Sequence, residues 1–98
     1  MATFISTVQF TDQGMKDIKA TRNRAEAFKT AAKKMGVEVQ SVFWTLGPFD
    51  GLVVFDAPDD ETATALMLHL GSFGNVKTQT ARAYPAEAME QILGKLPA

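Results

Sequence analysis

The chain contains no cysteine, which excludes disulfide staples, thiolate nucleophiles and Cys-ligated zinc or iron–sulfur centres. It has a single histidine, His69, so a multi-histidine metal site is excluded too. No apolar run approaches the ~20 residues that a bilayer-spanning helix needs. The start, Met1-Ala2-Thr3-Phe4, lacks the basic stretch and apolar segment of a secretory signal. A soluble cytoplasmic protein is expected. Neither sign of charge dominates: 10 basic and 11 acidic residues leave a formal net charge of −1. Nucleic acid and anionic membranes, which demand a strong excess of Lys and Arg, are therefore not expected as principal partners. A phosphate-cradling glycine loop is missing as well, because Gly71-Ser72-Phe73-Gly74 follows its predicted helix instead of opening one.

What is present fits one domain over residues 1–98. A chain of 98 residues with 46% hydrophobic content holds one core, and at this size only roughly two-thirds of the unfolded surface is buried on folding. Such a domain gains from self-association. The charge is unevenly spread. Lys16, Lys19, Arg22, Arg24, Lys29, Lys33 and Lys34 fall in one segment opposed only by Asp12, Asp17 and Glu26. This pattern reads as the solvated face of a helix, the competing reading being a docking surface for an anionic partner.

Alternation around Phe4, Val8 and Phe10 predicts a strand over Thr3 to Phe10. Thr11-Asp12 caps a helix whose apolar positions Ile18, Ala25, Phe28, Ala32 and Met35 step at helical intervals; Thr21 recaps it midway and Gly36 stops it. Val37 to Leu46 and Leu52 to Asp56 are the next strands, joined by Gly47-Pro48-Phe49-Asp50-Gly51 in a hairpin. Pro58-Asp59-Asp60-Glu61 sets carboxylates where a helix N-terminus favours them, and Ala63, Leu66, Met67 and Leu70 supply its apolar stripe. Asn75 to Tyr84 is a fourth strand. Pro85 opens a last helix striped by Met89, Ile92, Leu93 and Leu96.

The order β-α-β-β-α-β-α predicts an α+β, ferredoxin-like βαββαβ fold with a C-terminal helix, both crossover helices lying on one face of a four-stranded antiparallel sheet. The opposite face is the informative one. Leu52 and Val54 point one way and Val53 and Phe55 the other. In the second strand, strict alternation puts Val37, Val39 and Phe43 on one side and Val42, Trp44 and Leu46 on the other. Apolar side chains on both faces predict a patch that soluble monomers usually avoid. A second copy of the sheet is the simplest cover.

Five segments carry a resemblance: Thr11-Asp12-Gln13-Gly14, Arg24-Ala25-Glu26-Ala27-Phe28, Phe43-Trp44-Thr45-Leu46-Gly47-Pro48-Phe49-Asp50, Ala57-Pro58-Asp59-Asp60-Glu61 and Gly71-Ser72-Phe73-Gly74-Asn75-Val76. Together and in this order the chain resembles the GYD-domain family over essentially its whole length. That family is similar to the dimeric α/β-barrel superfamily, which implies two sheets packed face to face. The resemblance brings no established activity. Phe49 stands where the family signature carries Tyr, so a role for a phenolic hydroxyl is not expected here, although the ring would still pack.

Five residues are candidates for ligand contact: Trp44, Phe49, Asp50, His69 and Arg82. The hairpin turn could present Asp50 to a ligand, or Asp50 could bond nearby backbone N–H groups while Phe49 plugs the core edge. His69 lies about 110° from the centre of its helix's apolar stripe, a flank position fitting either a boundary residue or acid-base work. Arg82 on a barrel wall would need an anionic partner, or else sits at a solvated strand end near Glu87. The cluster Asp59, Asp60 and Glu61 reads as helix capping, since consecutive carboxylates diverge; no metal and no cofactor are expected. The functional expectation is a homodimeric or higher homo-oligomeric binding module that accepts a small, largely apolar molecule in the sheet–helix cleft or the dimer barrel. The resemblance to the superfamily implies one alternative, a cofactor-free monooxygenase-like or haem-handling enzyme using Trp44, His69 and Arg82. Another is a regulatory partner docked through the basic helix.

Overall fold

β1 (Ala2–Phe10) leads into a short helix α1 (Asp12–Lys16), a single 3₁₀ turn (Ile18–Ala20) and the long helix α2 (Thr21–Lys34). β2 (Glu38–Trp44), β3 (Gly51–Ala57), α3 (Asp60–Ser72), β4 (Val76–Ala83) and α4 (Ala86–Leu93) follow. The computed structural model describes residues 1–98. The sheet order is β2-β3-β1-β4 with every pairing antiparallel, the ferredoxin-like arrangement. Three helix boundaries have a local cause, whereas Thr21, expected to recap the second helix, is the first residue of α2, which starts after Ala20 with no side-chain cap. The Thr11 hydroxyl accepts from the Gly14 N–H at 3.2 Å to start α1, and Asp59 caps α3 by accepting from the Thr62 N–H at 2.7 Å. Hydrogen bonding from Thr62, its side chain first and its backbone N–H second, holds the Asp59 carboxyl below its ordinary pKa, because it stabilises the charged form. Gly36 follows α2 at φ +78°, a left-handed conformation that glycine adopts without steric cost.

The strands divide their side chains cleanly between two faces. Phe4, Ser6 and Val8 of β1 and Val53, Phe55 and Ala57 of β3 are buried beneath α2 and α3, joined by Phe28 and Ala32 of α2 and Ala63 and Leu66 of α3. Phe4 and Phe55, paired across the strands, stack at 5.4 Å between centroids. Ser6 is the one buried polar side chain, and the Thr80 hydroxyl donates to it at 3.0 Å. Arg82 pairs with Phe4 and Val76 with Phe10, so the inner face of β4 carries Val76, Thr78, Thr80 and Arg82.

The outer face bears Thr3, Ile5, Thr7 and Gln9 of β1, Leu52, Val54 and Asp56 of β3, and Lys77, Gln79, Ala81 and Ala83 of β4. Strict alternation fails in β2. The register slips between Val39 and Ser41, so that Val39, Val42 and Trp44 stand opposite Phe55, Val53 and Gly51, while Phe43 stands opposite Leu52. A β-bulge, which sets two residues against one on the neighbouring strand, thus moves Trp44 and Val42 to the helix side together with Val39. Phe43 alone remains outside with Ile5, Leu52 and Val54. Phe43 is 56% exposed and Ile5 37%; Leu46, expected as part of the strand, lies beyond its end and is fully exposed. The polar end of this face is closed by Asp56, which accepts from the Thr3 hydroxyl at 2.7 Å and from the Gln40 side-chain amide.

Two outcomes test these assignments. Gly14 is packed so closely that an added Cβ would overlap the Asn75 carbonyl oxygen. Gly14→Ala is expected to cost about 1–3 kcal/mol in denaturant unfolding, the usual range for overpacking a tight contact. Asp59→Ala removes the α3 cap and is expected to lower Tm by a few degrees at neutral pH. Because the folded-state pKa of Asp59 is depressed, the wild-type advantage is present above the ordinary carboxylate pKa and disappears as pH falls through the folded value; parallel melts from pH 7 to pH 2 measure this.

Candidate functional site

At the end of the sheet where β1 stops and β4 starts, α2 and α3 diverge and leave a cleft of about 330 Å³ over the inner face. This is the lower part of the size range of small-molecule sites. Its floor is Val8, Phe10, Val42 and Val53; Phe28 and Ala25 of α2 and Leu70 and His69 of α3 form its sides; Trp44 and Phe73 stand at its mouth. Thr21, Arg24, Asp50 and Asn75 supply its polar edge. The chemistry on offer is mostly dispersion and aromatic contact, with polar groups confined to the rim.

Backbone and side-chain hydrogen bonds hold this end of the molecule together. The Asp50 carboxylate accepts from the Phe10 N–H at 2.9 Å, and the Asp50 N–H donates to the Val8 carbonyl at 2.8 Å. The hairpin is thereby pinned to the end of β1. Gln9 adds a bond from its side-chain amide to the Pro48 carbonyl at 2.9 Å, and the Thr45 hydroxyl donates to the Phe49 carbonyl at 2.6 Å. Across the cleft, the Thr11 N–H and hydroxyl donate to the Asn75 and Gly74 carbonyls at 3.0 and 2.6 Å. Gln13 reaches the Phe73 carbonyl at 2.8 Å and the Asn75 side-chain oxygen at 3.0 Å. The Arg24 guanidinium donates to the carbonyls of Asp17 and Gly14 at 2.7 and 3.3 Å, which satisfies the last turn of α1. Trp44 donates from Nε1 to the Thr21 hydroxyl at 3.0 Å, linking β2 to the start of α2.

Of the five residues singled out in the sequence, Trp44, Asp50 and His69 come together at this cleft. Phe49 is half-buried in the hairpin turn and does not line the cleft. Arg82 lies six residues up β4 from Val76, about 20 Å away at the strand rise. There its guanidinium stacks 4.7 Å from the Tyr84 ring and 5.6 Å from Phe4 and donates to the Ala83 carbonyl at 3.0 Å. It forms no ion pair with Glu87. Within one protomer Arg82 is thus not brought to the cleft that Trp44 and His69 line. His69 is exposed on the rim, edge-on to Phe73 at 5.0 Å.

Arg24, Thr21, Phe73 and Asn75 were not singled out in the sequence. Arg24 sits in a run of solvated cations, and the carbonyls it serves are backbone groups that carry no side-chain signature. Phe73 was hidden in a glycine-flanked helix end. Four of the five segments that carried the resemblance, all except Ala57 to Glu61, meet around this cleft.

Comparison with known proteins gives a consistent picture. The GYD domain model matches residues 4–93. A protein of Thermus thermophilus described as a glutamine synthetase and cystathionine beta-lyase binding protein is 37% identical over 86 residues, spanning 87% of this chain and 90% of its own length. Among solved structures, MtbAldR superposes with a TM-score of 0.60 at 13% identity over 86% of this chain, which spans 53% of that longer protein. An ACT domain protein from Streptococcus pneumoniae gives 0.50 at 17% identity, covering 85% of this chain and 90% of that one. At these identities the two structures attest the fold alone.

The hydrogen bonds at the cleft end yield one expected outcome. Asp50→Ala leaves the Phe10 N–H without its charged acceptor and is expected to destabilise the fold by about 1–3 kcal/mol, with faster amide exchange at Phe10 and Asp50 than in the rest of the sheet. Global exchange rates that rise uniformly would show that the hairpin is not a separate clamp.

Proposed function

The chain belongs to the GYD domain family, and from that premise we propose that it is a self-associating adaptor that binds other proteins and offers its sheet–helix cleft to an apolar group. The observation that carries this reading is the outer sheet face. Ile5, Phe43, Leu52 and Val54 form an apolar surface that the two crossover helices do not cover. Fully burying side chains of this kind contributes roughly 1.5–3 kcal/mol each, against which the loss of translational and rotational freedom and of side-chain mobility is set. Sheet-to-sheet pairing of two copies answers the mismatch with a self-complementary contact.

The protein-binding part of the proposal is supported by the relative described as binding glutamine synthetase and cystathionine beta-lyase. Metabolic enzymes of this kind are accordingly the partners proposed for the present chain. The cleft, lined mainly by hydrophobic side chains and polar at its rim, suits a small apolar molecule or an inserted apolar side chain. Acid-base work at His69 draws no support from the geometry, since the Asp50 carboxylate is already engaged by Phe10 and Arg82 stands at the opposite end of β4.

Two measurements address this reading. Light scattering at tens of micromolar is expected to give at least twice the chain mass for the wild type and a smaller assembly for Ile5→Asp, which places a charge in the centre of the outer face. Titration calorimetry against purified glutamine synthetase and cystathionine beta-lyase is expected to show saturable binding to one of them. A wild-type chain that stays monomeric would remove the assembly claim, and silence with both enzymes would remove the proposed partners.

A further inference from the structure

Besides the neutral or cationic imidazole of His69, the cleft is lined by one fixed cation, Arg24, and one carboxylate, Asp50, and the two are not equally available to a ligand. The Arg24 guanidinium is turned toward α1. It donates to the Asp17 and Gly14 carbonyls at 2.7 and 3.3 Å, and the Asp17 carboxylate stands 3.9 Å from its Nη1, so this charge already has a counter-ion. Asp50 has none. Its Oδ2 accepts from the neutral Phe10 N–H at 2.9 Å, and neither ion pair of the molecule includes it. Oδ1 accepts from no group of the protein. Because no buried side-chain oxygen lacks a partner, Oδ1 is open to an incoming donor.

The rest of the lining does not reverse this bias. α2 brings its first turn to the cleft through Thr21 and Arg24, and α3 brings its last turn through His69 and Leu70. Helix starts favour anions and helix ends favour cations, so the two contributions oppose each other and the side chains decide. Trp44 and Phe73 at the mouth add to the preference, since aromatic ring faces attract cations. Asp50 precedes Gly51, the register partner of Trp44, which sets carboxylate and indole at the same end of the hairpin. An anion would meet neutral donors such as the Asn75 amide and the Thr21 hydroxyl, but it would lie in one small cleft with an uncompensated carboxylate. Such a juxtaposition is unfavourable where water is partly excluded.

We propose that the cleft selects an apolar molecule that carries an ammonium group, an arylalkylamine being the type, with its apolar part over the Val8, Val42 and Phe28 surface and its ammonium bonded to Asp50 Oδ1. This deepens the reading of the cleft as a site for an apolar group, on which it rests, by fixing the charge of the ligand. Pairing with a carboxylate through a charge-assisted hydrogen bond offsets the desolvation of the cation, a cost that the bare apolar floor would leave unmet. Apolar carboxylates of the same shape are excluded by the same group. One carboxylate thereby does two things, pinning the hairpin through Oδ2 and recognising the ligand through Oδ1.

Trp44, the one tryptophan, stands at the cleft mouth 48% exposed and reports occupancy by its emission. The full chain and its Asp50→Asn variant, which keeps an oxygen for the Phe10 N–H while removing the charge, are titrated with phenethylamine, phenethyl alcohol and hydrocinnamate. These share one shape, and at neutral pH the first is a cation and the last an anion. Titrations run into the roughly millimolar range that ligands of this size reach. In wild type the amine is expected to bind about three- to tenfold more tightly than the alcohol, the scale of a partly buried charge pair, and the carboxylate more weakly than either. Asp50→Asn is expected to bring the three to within about twofold of one another. Equal affinities in wild type would overturn the charge selection and leave the apolar cleft standing, whereas Trp44 emission unmoved by any of the three would remove cleft and proposal together. Tighter binding of hydrocinnamate, or an amine preference that survives in Asp50→Asn, would overturn the assignment to Asp50. Should Asp50→Asn fail to fold, the wild-type ratio of amine to alcohol affinity is measured again as salt is raised to about 1 M: a falling ratio supports the pairing and a constant one overturns it.

Discussion

A four-stranded sheet has two faces, and this chain supplies crossover helices for one of them. Everything else in the molecule is arranged around that constraint. The inner face is filled with Phe4, Val8, Val53 and Phe55 under two helices that bring Phe28, Ala32, Ala63 and Leu66. The helices diverge where the sheet continues, so the same packing that makes the core also leaves the cleft beyond it. The outer face keeps Ile5, Phe43, Leu52 and Val54 at least partly in contact with water, which carries a free-energy cost. Core, cleft and uncovered apolar face are three consequences of one layer count.

The two ends of the molecule differ in what holds them. At the cleft end the β2–β3 hairpin, α1, the start of α2 and the loop before β4 are connected by hydrogen bonds between side chains and backbone carbonyls or amides. Such bonds satisfy groups that irregular backbone would otherwise leave unpaired, and they fix the walls of a site that hydrophobic contact alone would let drift. The opposite end is looser. Arg82 stacks on Tyr84 and Phe4, the chain turns at Pro85, and α4 follows with Met89 and Leu93 exposed and Ile92 partly buried.

The bulge in β2 decides more than its size suggests. Moving one residue out of register sends Trp44 inward to the cleft and leaves Phe43 outward. Without it the indole would lie on the outer face and the cleft would lose the hydrogen bond from Trp44 to Thr21.

Local spacing in the chain sufficed for the element order, the four-stranded antiparallel sheet, the caps at Thr11 and Asp59 and the stripe of α3, because these follow from side-chain periodicity and from short-range hydrogen bonding; the last helix ends at Leu93, short of the Leu96 that its stripe had included. It also exposed the two-faced apolar pattern of β3. What only tertiary structure decided was which groups meet. Alternation cannot register a bulge, so Phe43 was grouped with Val39, which pairing with β3 sets on the opposite face, while Trp44 was rightly grouped with Val42. No pattern in sequence tells that Arg24 serves the carbonyls of Gly14 and Asp17, nor that Arg82 and His69 stand at opposite ends of the sheet. Those relations join residues far apart in the chain through backbone groups that every residue shares, and backbone groups acquire an address only when the chain is folded.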